Sequence, residues 1–85
     1  MELLFTPDAW EDYLYWQEKD KKIFKKINAL IKESLRDPHS GTGKPEALRY
    51  ELAGCYSRRI DMEHRLVYEV VDGMLRVISC RYHYA

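Results

Sequence analysis

Cysteine is scarce in this chain. The two present, Cys55 and Cys80, stand 25 residues apart, with no CxxC and no histidine at ligand spacing. A structural zinc wants four ligands and a small secreted domain wants several bridges, so the pair reads as reduced, partly buried thiols, with no metal and no disulfide. Long apolar runs are missing too. None approaches the roughly 20 residues that span a bilayer, and the opening MELLFTPDAW lacks a basic leader segment. The expectation is a cytoplasmic protein with no membrane partner. Four glycines and three prolines leave no linker or low-complexity stretch, and no internal repeat is present. Net charge is absent as well, because 14 basic residues balance 14 acidic ones.

What is present excludes disorder. Of 85 residues, 46% are hydrophobic and 13% aromatic, which predicts one folded domain over residues 1–85. The charges are also unevenly placed. Residues 1–20 carry six acids and one base, a balance of −5, whereas residues 21–50 carry eight bases and three acids, a balance of +5. Past residue 50 every base is an arginine: Arg58, Arg59, Arg65, Arg76 and Arg81. Arginine's fixed charge and forked donors suit phosphate, so one pole of a bipolar surface could meet nucleic acid.

The pattern along the chain predicts an α+β fold with helices first and strands after. Residues 2–5 read as a short strand. Thr6-Pro7-Asp8 supplies an N-cap hydroxyl, a proline at the first helical position and an acid in the first turn. The helix that follows should bury Ala9, Trp10, Tyr13, Leu14 and Gln17 or Trp16. Asp20 can cap a second helix with an apolar stripe of Ile23, Phe24, Ile27, Leu30, Ile31 and Leu35. Residues 37–46 form the one real loop. Strands are expected at Ala47–Leu52, Cys55–Ile60, His64–Val71 and Met74–Tyr82, with Asp72-Gly73 as a two-residue hairpin turn. Two helices should pack on one face of an antiparallel sheet.

Several motifs have a plain reading. The GTGK of the loop is not a phosphate loop: position 38 is Pro where the pattern needs Gly, and Pro45 stands where a Ser or Thr would hold magnesium. The lysine face of the second helix reads as a solvated surface. The stripe Trp10–Tyr13–Trp16 reads as core or as a contact with another chain. Glu69 and Arg76 fall opposite each other across the hairpin. His39 and His64 read as ordinary surface. His83, flanked by Tyr82 and Tyr84, has no packing purpose and is the natural proton donor of the sequence.

Taken together, Gly43-Lys44-Pro45-Glu46-Ala47-Leu48, Ser57-Arg58-Arg59-Ile60, Glu63-His64-Arg65-Leu66-Val67-Tyr68 and Cys80-Arg81-Tyr82-His83-Tyr84 resemble the YoeB toxins, mRNA interferases of the wider RelE group. The segment Trp10–Glu18 also looks like theirs, so the resemblance spans essentially the whole chain. It implies a RelE-like microbial RNase fold: two N-terminal helices on a twisted, mainly antiparallel sheet. It further implies a ribosome-dependent endoribonuclease that cleaves mRNA in the ribosomal A site without metal or cofactor. A YefM-type antitoxin, a homodimer, and operator DNA reached only through the antitoxin complex complete the implied partners. By matching position, Glu46 is the general base, His83 the general acid, Arg65 the phosphate stabiliser and Tyr84 an orienting group. Lys44, Arg49, Arg59 and Tyr82 are supporting contacts. The chain departs from the family pattern with Arg49-Tyr50 in place of Lys-His, Cys55-Tyr56 in place of Phe-Trp, and an added Ala85. A non-catalytic ribosome- or RNA-binding module would need the same arginines but not Glu46 and His83 together.

Strand parity strains against these roles. A regular hairpin pairs Arg65 with Cys80 and sends His83 to the opposite face. A bulge, or a departure from the strand near Arg81, would relieve the conflict.

Overall fold

Asp20 divides the helical half of the protein. In the computed structural model, which describes residues 1–82, helices α1 (Pro7–Lys19) and α2 (Lys21–Arg36) meet at this residue. Its carboxylate accepts from the N–H groups of Lys22 (3.0 Å) and Ile23 (3.1 Å), while its own N–H closes α1 on the Trp16 carbonyl. Thr6 caps α1 by accepting from Ala9, and Pro7 occupies the first helical position as expected. His83, Tyr84 and Ala85 lie outside the described residues.

Strand β1 (Glu2–Phe5) precedes the helices; β2 (Glu46–Ala47), β3 (Cys55–Arg59), β4 (Arg65–Val71) and β5 (Met74–Ser79) follow them. They form one sheet in the order β1-β5-β4-β3-β2, parallel between β1 and β5 and antiparallel elsewhere. This is the expected α+β architecture. Asp72 and Gly73 take positive φ, 50° and 73°, as the two-residue turn requires. Glu69 and Arg76 pair across it.

The helices cover one face. Ala9, Trp16, Ile27, Leu30 and Ile31 pack against Leu66, Tyr68, Leu75, Val77 and Cys80. The expected burial of α1 holds for Ala9 and Trp16 but not for Trp10 and Leu14, which stay 46% and 36% exposed. Trp10 instead stacks on Tyr13 and meets Phe5 edge-on at the margin of the core. The other face carries a smaller cluster of Leu48, Cys55 and Val67.

Two segments depart from the sequence pattern. The strand expected at Ala47–Leu52 ends after Ala47; Tyr50–Leu52 is a 3₁₀ turn entered with Tyr50 at φ 58°. The strand expected to reach Tyr82 ends at Ser79, because α1 takes over the next backbone groups. The Asp12 carboxylate accepts from Cys80 N–H (3.1 Å), and the Trp16 indole donates to the Cys80 carbonyl (2.8 Å). Before that end, Tyr68 pairs with Val77 but Val67 with Ser79, so Ile78 is an extra residue in β5. The bulge and the early departure both occur.

The loop between α2 and β2 is wound on a buried guanidinium. Arg58, fully buried, donates to the Tyr68 hydroxyl (3.0 Å) and to the carbonyls of Thr42 (3.0 Å), Ser40 (2.9 Å) and Asp37 (2.5 Å). The Tyr68 hydroxyl in turn donates a hydrogen bond to the Pro38 carbonyl at 2.6 Å. Asp37 and Glu33 brace the loop, accepting from Ser40 and His39 and from Thr42; these bonds hold both carboxyls below their ordinary values. Gly43 (φ 84°) lies so close to β3 that a Cβ would meet Arg58 Cβ at 3.0 Å and the Arg59 carbonyl at 3.1 Å. That closeness, not phosphate binding, explains the glycine of GTGK.

Removing the guanidinium strands buried acceptors. Arg58→Met should therefore lower the unfolding free energy in urea by about 3 kcal/mol or more and open residues 38–44 to proteolysis. Burial, aided by the nearby Asp12 charge, pushes the Cys80 thiol up to about 12 from 9.0. A group raised in the folded state contributes stability that is full below its unfolded value and is lost above it. Stability should accordingly fall from about pH 9 upward, by at most about 1.4 kcal/mol per pH unit from this group. Urea titrations of Cys80→Ala should show a shallower alkaline decline than the wild type.

Candidate active site

The sheet face away from the helices gathers three of the residues singled out above. Glu46 pairs with Ser57, Ser57 with Val67, and Arg59 with Arg65. Directly paired residues share a face, and positions two apart on a strand do too. Glu46, Arg59 and Arg65 therefore stand on one face, beside the Leu48–Cys55–Val67 cluster. Arg58, one position off, points into the core instead.

The loop delivers Glu46 to this face. Gly43 offers its carbonyl to Arg59 N–H (2.8 Å), which ties the loop's exit to β3; Lys44 follows at φ 50° and is exposed. Glu46 itself is exposed at the start of β2. Arg49 is exposed beyond it, just before the 3₁₀ turn.

Arg65 is held from behind. Its Nη1 donates to the Asp61 carbonyl (2.8 Å) and the His64 carbonyl (3.0 Å). These bonds orient the planar guanidinium. Asp61 shapes the loop in turn, accepting from Glu63 N–H (2.8 Å) and His64 N–H (2.7 Å). Partial burial would raise its carboxyl, but the N–H groups of His64 and Glu63 win and hold it below the ordinary value.

His64 is not the surface residue expected. It is buried, its ring edge-on to Trp16 at 4.7 Å between centroids, and its Nδ1 accepts from Tyr82 N–H at 2.6 Å. The Tyr82 carbonyl accepts from Arg65 N–H at 3.0 Å. Tyr82 has φ 63°, a conformation that side-chain-bearing residues seldom adopt. The chain thus turns beside Arg65 after leaving β5. Arg81 swings to α1, its guanidinium 3.6 Å over the Tyr15 ring.

Of the residues named from sequence, the structure brings together Glu46, Arg59 and Arg65 by strand register, and Tyr82 joins Arg65 through the backbone. Lys44 and Arg49 flank Glu46 in the chain, while His83 and Tyr84 fall beyond the described residues. Asp61 and His64 were missed. The spacing Asp61-x-x-His64 carried the signal, since an Asp accepts readily from N–H groups two and three residues on. Among the described residues no three His, Cys, Asp or Glu side chains gather as metal ligands, and no helix is long and apolar enough to cross a membrane.

Residues 5–84 match the family of YoeB-like toxins of bacterial type II toxin–antitoxin systems. Toxin YoeB of Escherichia coli K12 is 57% identical over 84 residues, covering 99% of this chain and all of that one. The fold is similar to a YoeB/ParE toxin from Agrobacterium tumefaciens (TM-score 0.96, 48% identity, 99% of this chain and 100% of that one). It is also similar to Staphylococcus aureus YoeB in its dimer (TM-score 0.90, 52% identity, 99% and 98% covered) and in a YoeB–YefM complex (TM-score 0.90, 50% identity, 99% and 98% covered). With motif, register and full-length likeness in agreement, the chain belongs to the YoeB-like toxins of bacterial type II toxin–antitoxin systems.

Proposed function

We propose that this toxin is a ribosome-dependent endoribonuclease that cleaves mRNA in the ribosomal A site without metal or cofactor. The observation that carries the reading is the shared face of Glu46, Arg59 and Arg65. Two arginines directly opposite each other repel, and a face that keeps them suits an anion, here the scissile phosphate.

Each part of the chemistry has a residue. Glu46 takes the 2′-OH proton, and the 2′-oxygen attacks the adjacent phosphorus. The bond from phosphorus to the 5′-oxygen breaks, and His83 protonates that leaving oxygen. The products are a 2′,3′-cyclic phosphate and a 5′-hydroxyl. Arg65, already oriented by two carbonyls, offsets the charge gathering on the phosphoryl oxygens. Tyr84 orients the nucleotide, and Lys44, Arg49, Arg59 and Tyr82 hold the RNA strand. A binding module would need the arginines alone; a carboxylate on their face favours cleavage.

Glu46→Gln, Arg65→Ala and His83→Gln should each slow single-turnover cleavage on saturating programmed ribosomes by about 10²–10⁴-fold while leaving the fold intact. A wild-type rate for His83→Gln would remove it as the acid.

The S. aureus structures support two partners for this chain, a second copy and a YefM-type antitoxin. Exposed Trp10 and Leu14 offer the dimer an apolar margin on α1, and the arginine face suits an acidic antitoxin segment. Sedimentation checks both. The free protein should run heavier than its 10.2 kDa monomer. Its antitoxin complex should weaken as salt rises, because screening acts most on exposed charges. A monomer at high micromolar concentration, or salt-independent binding, would count against these readings.

A further inference from the structure

We propose that His64 is a positioning residue of this site, whose neutral imidazole and backbone carbonyl together set Tyr82 and the Arg65 guanidinium in place. The proposal rests on the cleavage reading above and assigns His64 no contact with RNA.

Three observations converge on it. First, Nδ1 accepts Tyr82 N–H at 2.6 Å, which fixes the tautomer: the proton of the neutral ring sits on Nε2, where Glu63 Oε1 lies 3.6 Å away. Second, the carbonyl of the same residue accepts from Arg65 Nη1, so one residue touches both arms of the site. Third, Tyr82 sits at φ 63°, and such a backbone persists only where its surroundings over-determine it. Here the imidazole holds its N–H and Arg65 holds its carbonyl.

A buried imidazole is a demanding means of holding one N–H. It is also conditional. A proton on Nδ1 turns the acceptor into a donor aimed at another donor, and the Tyr82 bond is lost. Around the ring stand Glu63 at Nε2, Trp16 edge-on and the Tyr82 ring.

The test compares His64→Leu, which removes the acceptor, with His64→Asn, whose amide oxygen falls near the position of Nδ1 and does not titrate. On saturating programmed ribosomes, His64→Leu should cleave about 10- to 100-fold more slowly in a single turnover, the cost of a site misplaced by about an ångström. His64→Asn should recover most of that rate. An independent readout uses the free protein: the Tyr82 amide should exchange with solvent about 10-fold or more faster in His64→Leu than in the wild type, and near the wild-type rate in His64→Asn.

His64→Leu cleaving at the wild-type rate, His64→Asn no better than His64→Leu, or a Tyr82 amide that exchanges equally fast in His64→Leu and the wild type would each overturn the proposal. Should His64→Leu fail to fold, His64→Asn decides: near-wild-type cleavage and Tyr82 exchange support the proposal, and loss of either overturns it. Should Glu46→Gln also cleave normally, the cleavage reading fails instead, while amide exchange still reports on the His64–Tyr82 link.

Discussion

A single positive charge sealed beneath the sheet organises the half of the molecule that presents Glu46. Arg58 cannot be solvated where it lies, so its donors must be met by the protein. The loop between α2 and β2 meets them with three carbonyls, and Tyr68 supplies a hydroxyl oxygen. The constraint runs both ways: the guanidinium needs the loop, and the loop gathers on the guanidinium, braced also by Glu33, Asp37 and Tyr68. No salt bridge engages this arginine among the described residues, so the carbonyls and the Tyr68 hydroxyl carry most of the compensation, with the Glu33 charge nearby. Such an arrangement tolerates small backbone errors poorly, which suits a segment that ends in a proposed catalytic base.

The sheet then separates two tasks. Its helix-covered face holds most of the core, and its other face holds the smaller buried patch of Leu48, Cys55 and Val67. Alternation along β3 is what divides them. Tyr56 and Arg58 go inward while Cys55, Ser57 and Arg59 go outward, so neighbouring arginines serve different ends. One is structural and desolvated; the other stands in water, where an anion can reach it.

Much of this was legible from the residues. Thr6-Pro7, Asp20 and Asp72-Gly73 are local signals whose physics does not depend on the rest of the chain, and each was met in the structure. The failures lie where tertiary contacts overrule local preference. Trp10 and Leu14 stand four apart, at helical spacing from each other, yet the core is reached through Ala9 and Trp16, whose indole has a carbonyl to find at the end of β5. The strand expected through Tyr82 stops at Ser79 because α1 competes for the backbone of Cys80. Parity arithmetic exposed a conflict around Arg65 and named the two devices that could relieve it, placing the departure near Arg81 but leaving the bulge, at Ile78, unplaced. Arg58 and His64 hid for a common reason. Polar residues read by default as surface, and only the fold reveals that each has partners enough to be buried.

The union of Cys80 with α1 also bears on when the molecule comes into being. Trp16 and Asp12 close on a residue 64 and 68 positions later, and Thr6 reaches the Ile78 carbonyl 72 positions away. Contacts this distant in sequence are the slowest to form and cannot form on a partial chain. During synthesis, α1 and α2 can exist early, but their contacts with the end of β5, and the bonds of His64 and Arg65 to Tyr82, must wait until that segment is free. A toxin assembled in this order completes its proposed site last.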